Sequence, residues 1–192
     1  MSTASVTARP GAVLADLLPT SRVRDAALVL GGAALTGLAA QIAVPVPGSP
    51  VPVTGQTFAA LLVGTTLGAR RGVAALALYA AAGLAGVPWF AQGGSGASVS
   101  FGYVIGMLLA AAAVGALARR GADRSPLRMA GTMLLGEAII YAVGVPYLAF
   151  AAHMSATAAI AAGLTPFLIG DALKAALAMG ALPTAWKLTN KS

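Results

Sequence analysis

Three stretches of this chain, residues 26–69, 72–118 and 138–170, contain no Asp, Glu, Lys or Arg. A transmembrane helix needs ~20 apolar residues, so runs of this length can cross a bilayer and return. Most basic residues fall in four groups between the runs: Arg9, Arg22 and Arg24; Arg70 and Arg71; Arg119, Arg120, Arg124 and Arg128; Lys187 and Lys191. That alternation is the positive-inside pattern of a multi-pass membrane protein. Composition agrees, with 58% hydrophobic and 9% charged residues against about 25% charged in soluble domains. Only Lys174 stands apart; the other basic residues behind the net charge of +7 sit at the ends of spans. They therefore form no phosphate-tracking stripe: the surroundings are a lipid bilayer and nucleic acid is excluded as a partner. With no cysteine and a single histidine, His153, neither a thiolate nor a histidine metal cluster can form.

The expected fold is all-α: an integral membrane protein of six transmembrane helices with both termini cytoplasmic. One domain covers 24–188, flanked by an N-terminal tail, 1–23, and a C-terminal tail, 189–192. Arg9, Asp16 and Pro19 interrupt the first apolar run, which makes it a poor signal peptide and a better cytoplasmic tail. The first helix, 24–44, carries small residues four apart at Ala27/Gly31 and Ala33/Gly37, spacing that suits either bundle packing or docking to a second membrane protein. Four prolines in 45–52 force an extended external loop. Two short spans follow, 53–69 and 72–87, joined by an inside turn at Arg70–Arg71. The second external loop, 88–100, is rich in Gly and Ser. Trp89 and Phe90 at its start serve either as interfacial anchors or as a ring stacked on a ligand. Spans 101–117 and 129–150 come next, the latter with Glu137 and Tyr141 one turn apart, and then an external loop, 151–163, holding a solvated His153.

The last helix begins at 165–174, T-P-F-L-I-G-D-A-L-K, where Pro suits a first helical position. Asp171 and Lys174 share one face at i and i+3. Ionisable groups at a helix centre cost roughly 2.5–3.5 kcal/mol each on insertion scales and mark functional sites. They either meet a ligand or brace one another, and Glu137 could join them in a purely structural network. No G-x-x-x-x-G-K-[ST], G-x-S-x-G or H-E-x-x-H occurs, so catalytic residues, a cofactor and intrinsic ATP use are not expected. A freestanding ion-coupled carrier, in which buried charges relay protons, is the competing reading. The lack of a visible internal repeat argues against it.

Five motifs occur in order: V-P-V-T-G-Q-T-F at 51–58, L-G-A-R-R-G at 67–72, Y-x3-G-x2-G-V-P-x-F-A at 79–91, F-G-Y-x2-G at 101–106 and P-F-x2-G-D-x2-K at 166–174. Together they resemble the BioY family, the biotin-specific S components of energy-coupling factor (ECF) transporters. The resemblance covers about 24–188. It implies the ECF S-component fold in the cell membrane, with a biotin site facing the exterior. It also implies partners: a transmembrane coupling protein (T component) and two ABC-type ATPases. On this resemblance Asp171 and Lys174 contact the ligand, Tyr103 and the loop Gln92, Gly93 and Gly94 close over it, and Thr54 and Gln56 add polar contacts. Biotin's ureido N–H groups suit an aspartate, its carboxylate a cation, and its apolar bicycle a wall from Trp89, Phe90, Tyr103 or Tyr141. Which end meets which charge stays open, as does another small vitamin as ligand. Three features depart from the family pattern: within the first helix Ala-x3-Ala occurs only at Ala39–Ala43, Gln92 stands where a small residue is expected, and Glu137 has no counterpart role.

Overall fold

The computed structural model describes residues 11–189. Among the described residues six α-helices make the bundle: α1 (Arg22–Gln41), α2 (Gln56–Leu84), α3 (Phe101–Arg119), α4 (Pro126–Ala151), α5 (Ala156–Gly163) and α6 (Leu168–Thr189). Five helical stretches are long and apolar enough to cross a membrane, the last of them taking α5 and α6 together. Leu30, Leu38, Leu134, Phe150, Ile169 and Leu177 are exposed around the outside, an apolar girdle suited to a bilayer. The chain is a multi-pass membrane protein.

Helix starts follow from capping chemistry. The Ser21, Ser125 and Ser155 hydroxyls accept from the backbone N–H three residues on, which satisfies one of the orphan donors of each helix. Pro126 fills the first position of α4, where its missing N–H costs nothing.

The two short spans expected at 53–69 and 72–87 are a single helical stretch folded on itself. Gly68, at φ 79°, ψ 167°, is the one non-helical residue within α2. A Cβ added at Gly72 would lie 2.8 Å from Gly64 Cα, whereas eight residues along a continuous helix span about 12 Å. The turn therefore falls at Gly68 and not at Arg70–Arg71. A positive φ is cheap only for glycine. Arg71 instead starts the return arm and ties it down with ion pairs to Asp16 (2.7 Å) and Asp25 (3.0 Å).

The expected N-terminal tail is in part a packed element. Val13 is fully buried, a 3₁₀ turn spans Leu14–Leu17, and Asp16 holds both Arg71 and Arg119. Burial of the Asp16 carboxyl opposes its ionisation, but the Arg71 hydrogen bond, with Arg119 behind it, prevails and holds it below the usual carboxylate range. Residues 1–10 and 190–192, the ends of the two expected tails, lie outside the described residues.

At the same end Asp123, in the turn between α3 and α4, accepts from Trp186 Nε1 at 2.6 Å, and the Arg124 guanidinium lies 4.5 Å from the Trp186 ring centre. The starts of α1 and α4, the ends of α3 and α6 and the Gly68 reversal thus gather at one basic end.

The opposite end is made of connections. The proline-rich loop closes as a hairpin on two short strands, β1 (Ala43–Val44) and β2 (Val53–Thr54), paired antiparallel. The segment expected as a plain loop at 151–163 contains α5. His153 is exposed there, with a positive φ of 53° where α4 ends.

Candidate functional site

Thr54 on β2, Gln56 and Thr57 at the head of α2, the 88–100 loop, the head of α3, Tyr141 on α4 and the first turns of α6 line a cavity at the end away from the basic turns. Counted with its open mouth, the space is about 590 Å³. Its walls are mainly apolar, with Phe90, Phe101, Tyr103, Met107 and Phe167 among them.

Asp171 and Lys174 sit together in this cavity. Lys174 Nζ donates to Asp171 Oδ1 at 3.0 Å and to Thr57 Oγ1 at 2.9 Å. The Tyr141 hydroxyl donates to the other Asp171 oxygen. Both charged side chains are nearly buried, at 13% and 10% exposure. They form an internally neutral couple that presents one acceptor group and one donor group side by side. Gln56 is also buried and lines the cavity, and its amide nitrogen has no hydrogen-bond partner. A buried donor left unmade costs ~1–3 kcal/mol, so this amide points to an acceptor that arrives from outside.

Several glycines make room for the walls. A Cβ at Gly83 would strike the Phe90 ring and one at Gly144 the Tyr103 ring. Tyr103 then reaches past Gly144 to donate to Gly163 O at 2.7 Å, pinning α3 to α5. The 88–100 loop is held by Gln41 at the end of α1, which donates to Trp89 O and Phe90 O and accepts from the Gly93 N–H. Beyond it a shallower outer chamber, lined by Gln92, Gly94, Ser98 and Ser100 among others, continues the cavity toward its mouth.

Of the residues expected at the site, Thr54, Gln56, Phe90, Tyr103, Tyr141, Asp171 and Lys174 line the cavity. Gln92 and Gly94 line the outer chamber, and Gly93 is held on Gln41. Trp89 is placed elsewhere: its ring packs on Gly37 and its Nε1 donates to Tyr79 O at 2.9 Å, so it braces the loop and is not among the residues lining the cavity. A correction concerns the docking face. Ala33 and Gly37 are buried inside the bundle, where Gly37 receives Trp89, while Ala27 and Gly31 remain exposed. Glu137 lies outside the cavity. It lines a lateral groove between α4 and α6, and neither of its oxygens has a hydrogen-bond partner.

Thr57, Phe167 and Gln41 were not expected. Thr57 sits beside Gln56 within the first motif and Phe167 within the last, so both were in view without a stated role. Gln41 closes a contact 48 residues away in sequence, which no local spacing reveals.

This helical membrane bundle, with a cavity at the end opposite its basic turns, shares its fold with a solved S component. The solved S-component for biotin from an ECF-type ABC transporter superposes with a TM-score of 0.78 over 88% of this chain and 95% of that one, at 22% identity; this likeness concerns the fold. The BioY family profile matches residues 9–191. The chain is 40% identical over 119 residues to the "Probable biotin transporter BioY" of Lysinibacillus sphaericus, covering 60% of each. It is 31% identical over 163 residues to biotin transporter BioY2 of Lactococcus lactis, covering 83% of this chain and 88% of the relative. The chain belongs to the BioY family.

Proposed function

We propose that this chain captures biotin at the outer face of the cell membrane and delivers it inward as the substrate-binding subunit of an ECF-type importer. The observation that carries the reading is the Asp171–Lys174 couple beside the unpaired Gln56 amide in a cavity of mostly apolar walls. A ureido group has two N–H donors and one carbonyl acceptor. Asp171 accepts from the N–H edge, and Lys174 and Gln56 donate to the carbonyl. Lys174 is already neutralised by Asp171, and a carboxylate placed here would set two anions side by side. The ureido ring therefore takes the deep end, the bicycle lies against Phe90, Phe167 and Tyr103, and the carboxylate points to the mouth. The names of the relatives, biotin transporters, agree with this ligand.

The positive-inside rule puts the basic end in the cytoplasm, so the cavity faces the exterior. The doubled-back α2 brings the crossings to six and both termini to the cytoplasm. The importer's energy comes from partners, a transmembrane coupling protein and two ABC-type ATPases. The exposed Ala27/Gly31 pair is the docking position on α1 where backbones can approach closely. Calorimetric titration of the purified protein with biotin, lipoate, thiamine and riboflavin tests the ligand: tight binding to biotin alone is expected, and preference for another vitamin overturns the assignment.

A further inference from the structure

The charge distribution around the cavity says how the far end of the ligand is read. Among the described residues, Asp171 and Lys174 are the charged side chains that line the cavity. The outer chamber, about 490 Å³ with its opening, has no charged side chain in its lining. This follows from the sequence, since no Lys or Arg lies between Arg71 and Arg119. The chamber offers hydroxyls and an amide instead: Ser95, Ser98, Ser100 and Gln92. Ser98 and Ser100 lie 2.9 Å apart, oxygen to oxygen. Inner cavity and outer chamber share Pro52, Phe90, Ala91, Ser98 and Ser100, so they form one cleft running outward from Lys174.

A ligand held with its ureido ring on the Asp171–Lys174 couple would thus meet only neutral donors with its carboxylate, close to solvent. Neutral donors bond an amide or ester carbonyl nearly as well as a carboxylate at a wet mouth, and exposed charge adds little. A carboxylate seated on a buried ammonium behaves in the opposite way, because neutralising it strands the cation.

We propose that this chain also binds derivatives of its ligand whose carboxylate is neutralised or extended, namely amides and esters of a ureido-bicyclic acid such as biotinamide and Nε-biotinyl-lysine. The outer chamber gives their extensions room. The inference rests on biotin as the ligand and on the deep seating of the ureido ring.

The test is calorimetric titration of the purified, full-length protein with biotin, biotinamide, Nε-biotinyl-lysine and 2-iminobiotin, in which the ureido carbonyl is replaced by an imine. Biotinamide and biotinyl-lysine are expected within about tenfold of biotin, and iminobiotin weaker by about a hundredfold or more. Biotin that binds while its amide is weaker by more than about tenfold overturns this inference and leaves the vitamin assignment standing. Iminobiotin binding as well as biotin, with the amide lost, reverses the ligand's orientation and overturns it too. Failure of biotin itself to bind removes the assignment and the inference together.

Discussion

Asp171 and Lys174 stand in the first two turns of α6, three residues apart, and that spacing alone puts them on one face. What the spacing could not supply was the third party. Thr57 takes one Lys174 donor and Tyr141 supplies a donor to Asp171, so each charge is held in a fixed direction by a neutral neighbour from another helix. Phe90 and Trp89 were equivalent in the sequence as adjacent aromatics at a span boundary. They part in three dimensions because Gly83 leaves a pocket for the Phe90 ring and Gly37 one for Trp89. That difference makes a prediction. In Gly83→Ala the new methyl pushes the Phe90 ring toward the cavity. Calorimetry should show biotin affinity reduced by about tenfold or more, whereas unchanged affinity would mean that Phe90 has no part in the wall.

At the scale of elements, the spans were legible because charge-free runs and basic turns alternate. The boundaries of α1, α3 and α4 lie within three residues of those expected. The reversal lies two residues before the Arg70–Arg71 pair that marks it by charge, at Gly68, whose φ requirement is invisible in composition. α5 was missed although its alanines favour helix, because eight almost uniformly small, apolar residues show no periodic face and are too short to read as a span. The α2 arms and α3 meet through Gly64, Gly72 and Gly115; a Cβ at Gly115 would lie 2.7 Å from both Ala69 Cα and Gly64 O. Backbone atoms cannot step aside as side chains do. Gly115→Val should therefore destabilise by about 1–3 kcal/mol or more, seen as a lower melting temperature in detergent; a normal melt would contradict the close crossing.

The N-terminal 3₁₀ turn makes a second prediction at this scale. The folded Asp16 carboxyl titrates below its unfolded value, so its stabilisation is present above the unfolded range, near pH 4, and is lost as pH falls through the lower folded value. Melting temperatures of the parent and Asp16→Asn should differ at neutral pH and converge in acid. A gap that persists in acid would mean that the Arg71 and Arg119 contacts contribute through packing alone.

Across the whole molecule, the basic end is cross-tied by Asp16, Asp25 and Asp123, while the opposite end is loops around a cavity. That division was readable from charge placement alone, since among the described residues every Lys or Arg but Lys174 falls in a turn or toward a helix end. The interior packing of Ala33 and Gly37 was not readable, because small residues four apart serve a bundle core and an external partner equally well. Biotin uptake by cells expressing the chain should stop when the partner ATPases are inactivated and should not track the proton gradient; the reverse would favour a freestanding carrier. The central claim is that the Asp171–Lys174 couple grips the ligand and does not merely brace the bundle. It is tested most directly by titrating biotin into purified Asp171→Asn and Lys174→Ala. The account predicts at least about a hundredfold weaker binding in both, with each variant still folded, and parental affinity in both would contradict it.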